Sequence, residues 1–193
     1  MCGIAGLWRD LEAAQSPGLH TSVAAMTAAL RHRGPDDSGV WTDPADGVAL
    51  GHRRLAIVDL SPAGHQPMLS ASGRYVIAFN GEIYNHRELR RELQHPWRGQ
   101  SGTETLLAAI EAPGLALWDR QERVLHLARD RFGEKPLLWG WLDQAGQRVL
   151  VFGSELAALR ALPGVATPAV NLEALVAYLR LGCLPAPLSI HQG

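Results

Sequence analysis

The chain has 193 residues, 47% of them hydrophobic and 19% charged, enough for one domain with a sizeable core. Lys plus Arg number 18 against 19 Asp plus Glu, a near balance that leaves no electrostatic footprint for nucleic acid or an acidic membrane. Cys2 and Cys183 lie at opposite ends without metal-ligand spacing, no basic start leads into an apolar leader, and no stretch approaches the ~20 apolar residues of a membrane span; the expectation is a reducing, cytoplasmic setting.

In chain order, Cys2 to Trp8 is apolar and punctuated by glycine, which predicts a buried strand with close backbone approaches. Ser22 to Leu30 places Val23, Met26, Ala29 and Leu30 on one helical face, and Gly34-Pro35 ends it. Three β-like runs follow, "VALGHRRLAIVDL", "RYVIAFNGEIYN" and "LALWDRQERVLHLARD", the middle one broken at Asn80-Gly81, which by itself reads as a type I′ hairpin turn. "NHRELRRELQ" predicts an exposed helix capped by Asn85, and "TETLLAAIEA" a second helix stopped by Pro113-Gly114. "LLWGWLDQAGQRVLVFGSEL" predicts a strand pair joined over Asp143 to Gln147, and "SELAALRAL" a short helix. From about Leu181 the proline-broken text reads as a linker. Strands and helices come in groups rather than in strict alternation, so the expected fold class is α+β, and neither "GPDDSG" nor "FGEKP" has the spacing of a phosphate loop.

Cys2 stands directly behind the initiator methionine. It reads either as a small buried hydrophobe opening a strand or, once Met1 is removed, as an N-terminal residue holding a thiol and a free α-amine together. An ordinary thiol titrates near ~8.5 and an α-amine near ~8, so the amine is basic enough to take the thiol proton.

The ordered set "MCGIAG", "RHRGPDDSG", "GHRRLAIVD" and "FNGEIYN", with "DRFGEKPL" and "FGSEL" beyond it, resembles the glutaminase domain of class II glutamine amidotransferases, and "FNGEIYN" resembles the asparagine synthetase branch. The resemblance implies a four-layer αββα N-terminal nucleophile hydrolase fold over residues 1–162, with residues 163–193 as a linker and the start of a synthetase domain. It implies that Cys2 attacks the side-chain amide of L-glutamine, and that the Asn80 amide and the Gly81 N–H receive the oxyanion. It also implies that Arg54 takes the α-carboxylate, a role suited to a planar fork, while Glu82 contacts substrate and Leu55, Ile57 and Val58 wall the pocket. Arg53 reads as a solvated strand charge, Asn85 as structural, and "RHRGPDD" as shaping the site without catalysis. The implied partners are glutamine, a synthetase domain or subunit and a second copy in a homodimer. No metal or cofactor is implied here, ATP and Mg belonging to the synthetase domain, which would amidate aspartate.

Two departures stand out. Where the family reads Ser-Asp-Thr-Glu this chain has Ser101-Gly102-Thr103-Glu104, so Gly102 brings no carboxylate to the α-ammonium of glutamine unless Glu104 substitutes. "IEAPGLALWD" also skips a helical turn and a strand entry, which predicts a shortened core segment, repaired locally by "GLALW" or left as a defect. The competing readings are therefore an active glutaminase, a silent binding or regulatory domain, and a hydrolase of another amide.

Overall fold

The computed structural model describes residues 1–9, 18–93, 95–109, 116–130, 133–144, 146–165, 169–185 and 188–190. Nine strands build two antiparallel sheets among these residues. The first sheet holds β1 (Gly3–Arg9), β2 (Asp37–Asp43), β3 (Val48–Arg54), β8 (Leu138–Gln144) and β9 (Gln147–Gly153), in the spatial order β2-β3-β1-β9-β8. The second has the order β4-β5-β6-β7, from β4 (Met68–Leu69), β5 (Tyr75–Ala78), β6 (Ala116–Asp119) and β7 (Val124–Leu127). This is the mixed α and β architecture expected from the sequence.

Alternation along β1 decides what each face meets, because successive side chains point to opposite sides of a strand. Ala5 and Leu7 join Val23, Met26 and Leu30, with Ala158 and Leu162 from the far end of the domain, in one apolar cluster. These partners come from and around α1 (Leu19–Ala28) and α4 (Leu156–Arg160). On the other side Ile4, Val48, Leu50 and Phe152 meet Val76, Ala78, Ala116 and Trp118 of the second sheet. The outer face of that second sheet carries Ile77 and Leu117, which pack on Leu106 and Leu107 of α3 (Gly102–Ala108). The glycines of β1 serve close approach, as predicted: a Cβ on Gly6 would collide with the Phe152 ring.

The strand after the skipped segment is intact. All four residues of β6 are buried, and it pairs with β5 on one side and β7 on the other. Residues 110–115, where the shortening was expected, lie outside the described residues. The β6–β7 hairpin is closed by Asp119, which takes Arg74 in a two-pronged contact (3.0 and 2.7 Å) and also accepts the N–H groups of Gln121 and Glu122. The Arg74 guanidinium holds the Asp119 carboxyl down at about 2.

Several elements differ from expectation. Helix α1 starts at Leu19, ahead of Ser22, behind a left-handed Gly18. Strand β3 stops at Arg54, and the apolar text after it leaves the sheet, with Ile57 65% and Val58 59% exposed. Asn85 occupies the N-cap position of α2 (His86–Glu92), but its side chain caps nothing. Helix α5 (Leu172–Leu181) was not foreseen; Asn171 caps it, and of its residues only Ala174 is buried. No helix among the described residues is long and apolar enough to cross a membrane.

Candidate active site

A cleft of about 470 Å³ opens where the ends of β1, β3 and β5 meet the start of α3. Cys2, Arg54, Leu55, Ile57, Val58, Asn80, Gly81, Glu82 and Gly102, the whole set singled out from the sequence, line it. Its size is ordinary for a small-molecule site.

Cys2 precedes β1, and its half-buried Sγ accepts the Leu55 N–H at 3.4 Å. Its carbonyl accepts from Arg33 Nε at 3.0 Å, and Arg33 is braced in turn by Glu155 at 2.7 Å. Arg33 belongs to "RHRGPDD" and Glu155 to "FGSEL", so these motifs meet behind the nucleophile. The hydrogen bond from Arg33 keeps the Glu155 carboxyl below its ordinary range despite desolvation.

Asn80-Gly81 is not a type I′ turn. That turn needs positive φ at both central residues, and neither residue has it. The chain runs on from β5 toward α2, and a Cβ at 81 would lie 2.6 Å from the Phe79 ring, which would have to shift to admit it. Asn80 Nδ2 is buried and has no hydrogen-bond partner among the described residues. Such a donor is costly to bury unless something arrives to accept from it.

Arg54 is 8% exposed, and its guanidinium donates to the Ser61 carbonyl at 2.9 Å and to the Asp59 carbonyl. A guanidinium has five N–H groups, so donors remain for a ligand. Arg53 is half-buried rather than solvated, donating from Nε to the Gly34 carbonyl at 2.9 Å. Asp59 is committed as well: Ser61 and the Gln100 N–H bind its carboxylate. Desolvation pushes that carboxyl up, but these bonds and Arg54 outweigh it and hold it below its ordinary range.

The start of α3 settles one alternative. Ser101 caps the helix by accepting the Glu104 N–H at 3.2 Å. The Glu104 side chain is 1% exposed and accepts from the Arg98 N–H (2.6 Å), the Gly99 N–H (3.0 Å) and Arg90 (3.2 Å). It is therefore spent on the loop before α3 and does not stand in for a carboxylate at 102. At Gly102 a Cβ would meet nothing nearer than 3.9 Å, so the position has room for a side chain.

Sequence reasoning missed His86, Arg87 and Lys135 in the lining, as well as Gln66, whose signal in "GHQPM" was a lone amide next to a proline. It also passed over His52, which is fully buried on β3 with Nε2 3.1 Å from the Phe79 carbonyl. A carbonyl only accepts, so Nε2 carries the proton. Burial pushes this imidazole down to about 4, against the opposing pull of that bond. The unfolded chain takes up a proton near pH 6.5 that the fold refuses until about 4, so the stability His52 contributes is complete above 6.5 and is lost as the pH falls toward 4. The loss amounts to about 3 kcal/mol. His52→Gln, whose amide donates to the same carbonyl, should flatten the stability profile across that window in denaturant titrations; equal slopes for the two proteins would contradict the burial argument.

A family model described as a glutamine amidotransferase domain matches residues 1–193. The glutamine-hydrolyzing asparagine synthetase 3 of Bacillus subtilis (strain 168) is 38% identical over 182 residues, covering 86% of this chain and 28% of the relative. Asparagine synthetase 1 of the same organism is 33% identical over 205 residues, covering 98% and 31%. Asparagine synthetase B of Escherichia coli (strain K12) is 35% identical over 173 residues, covering 82% and 30%. The chain thus spans less than a third of the length of these curated relatives.

Proposed function

Because the chain belongs to the glutamine amidotransferase domain family, we propose that it hydrolyses L-glutamine to glutamate and ammonia, with Cys2 as nucleophile after removal of Met1. The observation that carries the reading is a thiol and an orphaned buried amide donor, Asn80 Nδ2, on one cleft. With Met1 gone, the α-amine of Cys2 takes the thiol proton and Sγ attacks the side-chain amide carbon. The carbonyl oxygen becomes an oxyanion, for which Asn80 Nδ2 and the Gly81 N–H are the donors. Collapse expels ammonia, which carries off the proton held by the α-amine of Cys2, and water then hydrolyses the γ-glutamyl thioester to glutamate. Arg54 takes the α-carboxylate, Leu55, Ile57 and Val58 wall the substrate, and Glu82 contacts it.

In the same reading residues 1–162 form a four-layer αββα N-terminal nucleophile hydrolase domain, supported by the three apolar clusters stacked from α1 through both sheets to α3. Residues 163–193, including α5, lead toward a synthetase domain or subunit that uses the ammonia to amidate aspartate. Release of glutamate and ammonia in equal amounts from L-glutamine by protein with a free Cys2 is the test. Absence of both would overturn the proposal.

Gly102 favours a second reading, a domain that binds glutamine poorly and turns it over little. One substitution tests whether the missing carboxylate at 102 is what weakens binding. Gly102→Asp should lower the KM for glutamine tenfold or more, at about 1.4 kcal/mol per tenfold, with kcat nearly unchanged. The gain should vanish for a deaminated analogue. Equal improvement on both substrates would mean that the loop was merely stabilised, and no improvement on either would favour the silent domain.

A further inference from the structure

Phe79 lies one residue beyond the β5 ladder, which ends at Ala78, and one before Asn80. Both of its backbone polar groups are nonetheless taken. Its N–H donates to Gln66 Oε1 at 2.7 Å, and its carbonyl accepts from His52 Nε2 at 3.1 Å. Gln66 is 6% exposed, and its Nε2 donates to Thr103 Oγ1 at 3.0 Å, next to Gly102 on α3. The orientation of the Gln66 amide is thereby fixed, since a backbone N–H can only donate.

This arrangement needs those residue types. Gln66 must accept from the Phe79 backbone and donate to α3, which a primary amide does with two atoms of one rigid group. His52 must present a neutral N–H deep inside the protein, and its burial keeps it neutral. We propose that Gln66 and His52 are positioning residues that hold the Phe79 N–H and carbonyl and so aim Asn80 Nδ2 and the Gly81 N–H at the oxyanion. They do so without touching the reacting atoms. The proposal rests on the glutaminase reading. Oxyanion donors act only when preorganised within about 0.5 Å, and a residue outside the sheet ladder has nothing else in the described structure to hold its peptide groups. The link from Gln66 to Thr103 ties the same loop to the substrate wall.

The test is steady-state glutaminase kinetics of Gln66→Leu, Gln66→Glu and wild type, with kcat expressed per Cys2 labelled by a diazoketone analogue of glutamine. Gln66→Leu should lower kcat per labelled site by about tenfold or more, with KM within about threefold. Gln66→Glu keeps the acceptor for the Phe79 N–H and can accept the Thr103 hydroxyl, so it should recover most of that loss. A Gln66→Leu protein with fewer labelled sites but wild-type kcat per site would reduce Gln66 to a folding role and overturn the proposal, as would a pure KM effect. If Gln66→Leu does not fold, Thr103→Val carries the test by freeing one end of the amide. It should lower kcat per site about threefold or more at constant KM, and an unchanged kcat would overturn the proposal. Wild type that neither labels nor turns over glutamine would sink the glutaminase reading and this proposal together, whereas active wild type with unaffected variants sinks this proposal alone.

Discussion

Cys2→Ala is expected to reduce ammonia release from glutamine to background while leaving the fold unchanged. In the proposed mechanism Cys2 supplies the nucleophile, and no second thiol lines the cleft: the other cysteine, Cys183, is exposed near the chain end. What the substitution removes structurally is small. Cys2 precedes β1, its side chain is half-buried, and its hydrogen bonding through sulfur is limited to long contacts with the Leu55 backbone at 3.4 and 3.8 Å. The brace from Arg33 reaches the Cys2 carbonyl, which alanine keeps. Thermal unfolding should therefore shift little, and residual turnover at the wild-type rate in the pure variant would remove Cys2 from the mechanism.

Asn80→Ala should be the next most severe change, lowering kcat by about 10²–10³ with little change in KM. The reason is differential binding: Nδ2 meets a neutral carbonyl in the ground state and an oxyanion in the transition state, and only the added strength of the second contact raises the rate. Stability should not fall with the rate. Nδ2 has no partner in the described fold, so its removal breaks no internal hydrogen bond through that atom and relieves a buried orphan. A variant with raised KM and unchanged kcat would show that Asn80 only positions substrate.

What the sequence made legible follows from what acts locally. The apolar, glycine-punctuated text of Cys2 to Trp8 states a buried strand, and "LLWGWLDQAGQRVLVFGSEL" states a strand pair joined over Asp143 to Gln147, because neither depends on distant residues. Asn80-Gly81, taken by itself, shows the opposite case. Its dipeptide preference is for a positive-φ turn, but neither residue takes positive φ, and the Phe79 N–H and carbonyl just before the pair are bonded to Gln66 and His52. His52 left no local trace and Gln66 only a lone amide beside a proline, since each acts on a backbone group 27 or 13 residues away. Helix α5 lies in the stretch read as a linker and packs little: only Ala174 of it is buried, while Leu172 is 69% and Leu179 75% exposed. Ser101-Gly102-Thr103-Glu104 showed a carboxylate missing at 102 but not that Glu104 is spent elsewhere; that took the contacts with Arg98, Gly99 and Arg90.

The central claim is that Cys2, freed of Met1, is the nucleophile of a glutamine-binding cleft. Intact mass spectrometry before and after incubation with a diazoketone analogue of glutamine tests it directly. The account predicts a chain lighter by one methionine that gains a single adduct, mapped to Cys2 and suppressed by excess glutamine. Retention of Met1, or an adduct on Cys183 with Cys2 untouched, would contradict it.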